Sequence, residues 1–306
     1  MNKYVKLLTD REFRFWVLSK YGVYNWMSDE EHIRRKYLYR FGAEINLENP
    51  RTYNEKLQWL KLHDRRQEYT RIVDKLEVKK YVEEHIGEGF VIPVIGGPWD
   101  SFDEIDFDRL PHQFVLKTTH DCGGVYVCHD KDLLDRNSAR KFLNKHLKRN
   151  YYVTCREWPY KNVKPRIFAE AYVKDSRDGG EELTDYKFFC FDGVPKAMFV
   201  ATDRSSQVEE TKFDFFDMDF AHLPIIQGHP NANIEIAKPY AFERMKEIAG
   251  KLSRGFPQLR VDFYCTEEHV YVGELTLFHF GGFVPFEPEE WDAKFGEWIQ
   301  LPDLIM

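Results

Sequence analysis

Strand patterns in this chain occur as close neighbours separated by short turns, and this arrangement most constrains the fold. Residues 114–117 and 125–128 flank a polar, glycine-bearing connection. Residues 259–265 and 270–277 form a similar pair further along the chain. Strands joined by short turns pair antiparallel, whereas parallel strands need a longer crossover, usually a helix. The pattern therefore predicts an α+β fold rather than the regular strand–helix alternation of dinucleotide-binding proteins.

Helix signals fill the first 70 residues and return between the strands. Ser28 and Thr52 each have Glu three residues later, which is the capping-box pattern at a helix start. Apolar periodicity predicts further helices at residues 74–85, 137–148 and 241–252. In the first of these Asp74 is the expected N-cap, which places Lys75 in the first turn. Additional strands are predicted at residues 90–95, 166–173, 185–191 and 196–202.

Composition narrows the function classes. The 306 residues include 44 basic and 51 acidic side chains, a net charge of −7. An acidic chain lacks the basic field that nucleic acids require, so we expect no nucleic-acid partner. No run approaches the ~20 apolar residues of a membrane helix, and residues 1–18 carry no apolar leader pattern. Five scattered cysteines without metal-site spacing predict free thiols and a cytoplasmic protein.

The last predicted hairpin is the most informative local feature. Alternation along the strands places Arg260 and Asp262 on one face, and Val272, Glu274 and Thr276 on one face of the partner strand. Two carboxylates side by side repel each other, and a bound divalent cation removes that cost. Oxygen ligands on a rigid sheet suit Mg²⁺, and a nearby arginine suits a phosphate oxygen. The alternative is a solvated strand face with ordinary charge pairs.

Three lysines could contact an anion. Lys117 ends an apolar strand just before Gly123 and Gly124, so its ammonium and free backbone N–H groups could surround a phosphate. Lys75 in a first helical turn is unfavourable for the helix dipole, and a phosphate would compensate. Lys187 shares a strand face with Asp185 among aromatic residues, where a lysine needs a partner. The alternatives are a snorkelling lysine at a turn, an exposed lysine and an internal ion pair.

Two further motifs are ambiguous. Asp217 and Asp219 form an Asp-x-Asp motif, which glycosyltransferases use to hold Mn²⁺ on a nucleotide diphosphate; it also fits a solvated turn. The sequence His279-Phe280-Gly281-Gly282 fits either a mobile loop with glycine hinges or a plain turn.

Taken in order, the motifs resemble the ATP-grasp superfamily, and specifically its TupA-like branch, named for teichuronopeptide biosynthesis. The resemblance extends over residues 50–301. It is carried by residues 52–61, 73–75, 110–117, 156–160, 185–193, 260–264 and 273–276.

The resemblance implies two α+β subdomains that clamp ATP. It divides the chain into a helical N-terminal segment at residues 1–72, a first ATP-grasp subdomain with a glycine-bearing lid at 73–170, and a second subdomain with the metal site at 171–306.

The resemblance also implies a role for each matched residue. Lys75 and Lys117 resemble the phosphate-contacting lysines, and the loop through Gly123 and Gly124 resembles the lid. The strand leading to the adenine-binding hinge contains Glu170, Ala171 and Tyr172. Asp185 and Lys187 are expected beside ribose or phosphate, with Lys187 counted among the catalytic groups.

In the last hairpin the resemblance makes Arg260 the γ-phosphate partner and Asp262 and Glu274 the magnesium ligands. Many family members have Glu-x-Asn where this chain has Glu274-Leu275-Thr276. Thr276 is therefore expected as a hydroxyl ligand, direct or through water, and the number of metal ions stays open.

The expected activity is an ATP- and Mg²⁺-dependent carboxylate–amine ligase that works through an acyl phosphate. The branch implies that an amino acid or other amine is joined to a uronic-acid carboxylate in cell-surface polysaccharide biosynthesis. The expected partners are an amine and a small-molecule or lipid-linked glycan, with at most peripheral membrane association. The rival hypothesis is a glycosyltransferase that uses Asp217 and Asp219. The aromatic residues, 16% of the chain, suit sugar stacking and core packing equally.

Overall fold

A computed structural model describes residues 3–174, 183–202, 210–267 and 269–303. Its helices are α1 Lys3–Thr9, α2 Arg11–Lys20, α3 Asp29–Phe41, α4 Tyr53–His63, α5 Glu68–Val73, α6 Glu77–Ile86, α7 Arg136–Leu147, α8 Tyr152–Cys155, α9 Phe242–Leu252 and α10 Glu290–Trp298. Its strands are β1 Val94–Trp99, β2 Phe114–Thr118, β3 Val125–Cys128, β4 Ile167–Ala171, β5 Asp185–Phe191, β6 Val194–Thr202, β7 Lys212–Phe216, β8 His222–Leu223, β9 Leu259–Cys265 and β10 Val270–Thr276.

The strands form two separate sheets. A four-stranded sheet has the order β1-β4-β2-β3, and a six-stranded sheet has the order β10-β9-β5-β6-β7-β8. Every neighbouring pair is antiparallel. The predicted hairpins β2–β3 and β9–β10 are both present, which confirms the α+β fold class. The predicted boundaries after residues 72 and 170 stay predictions.

Two elements begin later than the sequence indicates. Strand β1 begins at Val94 rather than at residue 90, because Val91 and Ile92 are buried in the core and Pro93 has no N–H for a sheet. Helix α6 begins at Glu77 rather than at residue 74. The Asp74 carboxylate accepts the N–H groups of Leu76 and Glu77, so Asp74 does cap the helix, but Lys75 lies outside it.

A large apolar core joins the six-stranded sheet to the helices, and a smaller one covers the four-stranded sheet. Phe189 on β5 illustrates the packing: its ring lies edge-on to Tyr53, Phe295 and His279, with centroids 5.0–6.2 Å apart. The aromatic residues in these clusters are explained by core packing. They also fix β5, one of the three strands of the charged site described below.

The helix start at Thr52 confirms the predicted capping box. The Thr52 hydroxyl accepts the Glu55 N–H at 3.2 Å, and the Glu55 carboxylate accepts the Thr52 N–H at 3.1 Å. The Ser28 pattern is only half made: Ser28 accepts the Glu31 N–H, while the Glu31 carboxylate pairs with Arg35. The local sequence pattern therefore predicted both helix starts correctly, although Glu31 pairs with Arg35 instead of the Ser28 N–H.

Gly296→Ala is expected to destabilise the protein by about 1–3 kcal/mol or more, because overpacking forces the backbone to shift. Gly296 on α10 packs directly on the start of α4, and a Cβ there would lie 2.1 Å from the Arg51 carbonyl oxygen. Urea denaturation measures the effect, with Glu297→Ala at the exposed next position as control. Equal stability of the two variants would contradict this close helix contact.

The described residues contain no helix that is long and apolar enough to cross a membrane. None of the five cysteines forms a disulfide, as the sequence predicts.

Candidate functional site

A row of charged side chains crosses the six-stranded sheet. Lys187 on β5, Asp262 on β9 and Glu274 on β10 are in register on three adjacent strands. Arg260 and Thr276 face each other one pleat away, on the same side of the sheet. The predicted juxtaposition of Asp262 and Glu274 is therefore confirmed, and Lys187 joins them.

The prediction that Val272 shares this face is wrong. A bulge at Gly273 shifts the register, so Val272 pairs with Phe263 and is buried, while Glu274 pairs with Asp262. A Cβ at Gly273 would lie 2.6 Å from the Tyr264 ring. The glycine therefore lets the strand bend and aims Glu274 at the charged row.

Asp262 is buried and heavily hydrogen-bonded. Arg260 donates to both of its oxygens at 2.7 Å, and the Lys187 ammonium donates to Oδ2 at 2.6 Å. Lys187 also lies 3.3 Å from the Asp185 carboxylate. Burial alone raises the pKa of Asp262, but Arg260 and Lys187 outweigh it and hold the pKa below its ordinary value. The carboxylate is therefore charged at neutral pH.

Glu274 differs from Asp262 although the two are neighbours. Its half-buried carboxylate has no hydrogen-bond or ion-pair partner among the residues that the structure describes. Thr276 Oγ1 accepts a hydrogen bond from Arg260 at 2.9 Å and keeps a lone pair. The free carboxylate, the adjacent Asp262 and this hydroxyl make an oxygen donor set that fits a hard divalent cation. Such a cation would share Asp262 with Arg260 and Lys187.

His279 was not assigned to the site from the sequence, but its ring accepts a hydrogen bond from Arg260. Arg260 donates to His279 Nδ1, so the other ring nitrogen carries the proton and donates to Gln227 Oε1 at 3.0 Å. Burial and the charges of Arg260 and Lys187 hold the pKa of His279 well below its ordinary value. The ring is therefore neutral and fixes the guanidinium orientation. A histidine two residues after a strand was the only sequence signal.

The loop after His279 is firmly attached to the rest of the fold. Gln58 Nε2 donates to the carbonyls of Gly281 and Gly282, and the Lys61 ammonium donates to Gly281 at 2.6 Å. Phe280, Gly281 and Gly282 all have positive φ. Of the two readings of this motif, these contacts favour the turn.

In the four-stranded sheet, Lys117 and Glu170 form an ion pair. The Lys117 ammonium lies 2.5 Å from Glu170 Oε2, and Lys79 of α6 lies 2.7 Å from Oε1. Burial raises the pKa of Glu170, but the two lysines outweigh it and lower the pKa overall. Lys79 was not identified from the sequence. Its only signal was its position next to the apolar Val78 in an amphipathic helix, where lysines are common. Of the predicted hinge residues, Ala171 donates its N–H to Pro93, and the Tyr172 ring lies edge-on to His129.

The predicted lid loop is tied down at Asp121. This buried carboxylate accepts from Thr118 and lies 2.5 Å from His146 Nδ1. A Cβ at Gly124 would lie 1.8 Å from Thr118 Oγ1, so the loop needs a glycine there. Gly123 has φ +87, which favours glycine. The Lys75 ammonium donates to the Asp121 carbonyl, which places Lys75 on this loop.

The loop is electrostatically coupled to the charged row. Desolvation of the Cys122 thiol and the negative charge of Glu274 raise the pKa of Cys122, although the residue as a whole is exposed. The positive charge of Lys75 acts in the opposite direction. Lys75 thus contacts the glycine loop, whereas Lys117 contacts Glu170 together with Lys79.

Asp217 and Asp219 form a turn after β7. Asp217 Oδ1 accepts the N–H groups of Asp219 and Ala221 at 2.9 and 2.8 Å, and Asp219 is exposed. These contacts explain the motif as a turn-capping aspartate.

Comparison with known proteins adds a family match. Residues 55–300 match the family model described as TupA-like ATPgrasp. No curated protein matches the sequence.

Solved structures show weaker similarity. N5-carboxyaminoimidazole synthase from Aspergillus clavatus, in complex with ADP and 5-aminoimidazole ribonucleotide, is 12% identical with a TM-score of 0.41, covering 68% of this chain and 44% of that one. D-alanine–D-alanine ligase from Bacillus anthracis, complexed with ATP, is 16% identical with a TM-score of 0.38, covering 67% and 55%. The ATP-grasp ligase PsnB, complexed with a phosphomimetic variant of its minimal precursor, Mg and ADP, is 10% identical with a TM-score of 0.35, covering 68% and 50%. The matched part of this chain thus spans about half the length of these proteins.

Proposed function

This chain belongs to the TupA-like ATP-grasp family, and from that premise we propose that it is an ATP-dependent carboxylate–amine ligase. One observation supports the proposal most: Arg260 and Lys187 are held by Asp262 beside a carboxylate, Glu274, that has no partner in the described chain. Fixed cations next to free oxygen ligands suit a magnesium-bound polyphosphate.

In the proposed reaction a substrate carboxylate oxygen attacks the γ-phosphorus of ATP. The bond from that phosphorus to the bridging oxygen breaks, and ADP leaves with an acyl phosphate as the other product. The nitrogen of an amine then attacks the acyl carbon, phosphate leaves, and the nitrogen loses a proton. An amide results.

In this proposal, residues of the chain position the phosphoryl groups and neutralise their negative charge. Arg260, oriented by Asp262 and His279, presents its guanidinium to phosphoryl oxygens, and Lys187 adds a second positive charge in the same row. Lys75 brings a third from the loop at Asp121. Asp262, Glu274 and Thr276 would hold Mg²⁺, which when bound neutralises phosphate charge during phosphoryl transfer.

We assign Lys117 a part that depends on its ion pair. Its ammonium is shared with Glu170, and Lys79 lies on the other oxygen of the same carboxylate. This arrangement fixes the position of Lys117 and leaves one net positive charge for an anion, because two ammonium groups share one carboxylate. Glu170 then orients a phosphate-contacting lysine, and the backbone after β4 would read the adenine.

The family suggests the substrates. We propose that this chain joins an amino acid or other amine to a uronic-acid carboxylate, in a cytoplasmic step of cell-surface polysaccharide biosynthesis. The turn-capping role of Asp217 gives the rival glycosyltransferase no support.

Release of ADP and phosphate tests the proposal. We expect release that requires a uronate such as D-glucuronate, an amine and Mg²⁺ together, because each bond-making step needs its own substrate. Titrations with ATP and with UDP-sugars provide the contrast. Tight, Mg²⁺-dependent binding of a UDP-sugar without ATP binding would contradict the ligase and favour the transferase.

A further inference from the structure

A buried glutamate lies close to the charged row without belonging to it. Glu157 follows Arg156, whose positive φ of 57° ends α8 and turns the chain inward. As a result Glu157 is only 4% exposed. Nothing in the proposed phosphoryl transfer uses this side chain.

The Glu157 carboxylate is unpartnered. Within the described residues it makes no hydrogen bond and no ion pair. Lys61 is the positive charge that acts most strongly on Glu157, but its ammonium donates to the carbonyls of Cys155 and Gly281 at 2.8 and 2.6 Å. A buried carboxylate without a direct partner is costly, and such groups are found where a ligand supplies the partner.

A glycine packs directly against Glu157. A Cβ at Gly281 would lie 3.3 Å from Glu157 Oε1 and 2.8 Å from the Cys155 sulfur. Gly281 has φ +60, so a larger residue would be strained as well as crowded. The loop of Gly281 therefore touches Glu157, and it begins two residues earlier at His279, whose ring contacts Arg260. The Glu157 oxygens are not fully enclosed, since neither is among the fully buried side-chain atoms without a partner.

Glu157 is also electrostatically coupled to the charged row. Burial raises the pKa of Glu157 to about 7, Lys61 acts in the opposite direction, and Glu274 and Arg260 also act on it. Burial and the charges of Glu157 and Glu274 keep the pKa of Tyr160 well above its ordinary value. Glu157 is thus within electrostatic reach of the proposed phosphoryl-transfer site.

The remaining neighbours are aromatic. The rings of Tyr151 and Tyr160 pack edge-to-face with centroids 4.7 Å apart, and the charge of Glu157 acts on both. A carboxylate beside aromatic rings is an environment that favours an organic cation.

We propose that Glu157 binds the ammonium group of the amine substrate, with Tyr151 and Tyr160 around it and Glu274 and Arg260 beyond it. This inference rests on the proposed ligase function, since it names the amine subsite of the same reaction. A substrate cation satisfies the unpartnered carboxylate. The ammonium then passes one proton to Glu157, and the neutral nitrogen that results attacks the acyl carbon as phosphate leaves. The amine is therefore one that is protonated in solution.

Two small nucleophiles of similar size test whether Glu157 recognises the positive charge of the amine. Hydroxylamine is largely neutral at neutral pH, whereas methylamine is largely protonated. With ATP, Mg²⁺ and D-glucuronate, Glu157→Gln is expected to raise KM for methylamine roughly tenfold to a hundredfold, because one partner of a buried charge pair is lost. KM for hydroxylamine is expected to stay within about twofold. Glu44→Gln at an exposed position is the control.

Equal changes in both KM values would overturn the inference and leave Glu157 as a structural carboxylate compensated by Lys61. Absence of ADP release with both nucleophiles in the wild-type protein would instead overturn the proposed function, and the inference with it. A second test uses competitive inhibition of the wild-type protein. Trimethylammonium should compete with methylamine more strongly than the similarly sized neutral tert-butyl alcohol, and equal inhibition by the two would count against Glu157.

Discussion

Asp262→Asn and Glu274→Gln are expected to lower ATP-dependent turnover by about a hundredfold or more each, because each removes a charge that fixes the phosphoryl-transfer site. Their effects on folding should differ. Asp262 holds Arg260 and Lys187 in a buried network, so its loss should cost about 3–5 kcal/mol of unfolding free energy. Glu274 has no partner in the described chain, so its substitution should change stability by less than about 1 kcal/mol.

The pair of variants separates catalysis from folding. Urea denaturation gives the unfolding free energy, and ADP release gives turnover. Glu290→Gln, at an exposed position on α10, provides the matched control. Wild-type turnover in either variant would refute the metal-site assignment. A stability loss in Glu274→Gln as large as that in Asp262→Asn would show that Glu274 is structural.

Glu170→Gln is expected to destabilise the protein by about 3–5 kcal/mol, since it leaves two buried ammonium groups without a carboxylate. Lys117 and Lys79 both contact Glu170, at 2.5 and 2.7 Å. Adding Lys79→Met should recover part of the loss, because one uncompensated charge is then removed. Urea denaturation of both single variants and the double variant, with the exposed Glu88→Gln as control, measures this. Additive effects of Glu170→Gln and Lys79→Met would contradict the bridge.

The same bridge predicts the direction of a pH dependence. The folded-state pKa of Glu170 is below the ordinary value of 4.5. Its contribution to stability is therefore fully present above that value and is lost as the pH falls through the lower, folded-state pKa. Acid denaturation should accordingly narrow the stability gap between the wild-type protein and Glu170→Gln as the pH drops below about 4.5. If the stability difference between the wild-type protein and Glu170→Gln stayed constant until both unfold, the lowered pKa of Glu170 would be contradicted.

Much of the charged row was predictable because it lies within one hairpin. Alternation along β9 and β10, joined by a short turn, placed Asp262 beside Glu274, and alternation along β5 marked Lys187. The one local error, the face of Val272, came from a bulge that a glycine permits but that periodicity does not reveal. The helix start at Thr52 and the capping role of Asp74 were likewise set by side chains within three residues of the cap, although α6 itself begins at Glu77.

The sequence by itself determined the hairpins β2–β3 and β9–β10, the helix caps and the acidic pair of the last hairpin, because these depend on neighbours a few residues apart. Only the tertiary structure decided which charges are satisfied. It gave Glu170 to both Lys117 and Lys79, set His279 behind Arg260, and left Glu157 and Glu274 without partners in the described chain. The physical reason is that such ion pairs join elements far apart in the chain, so they depend on how helices and loops dock on the sheets rather than on any local pattern.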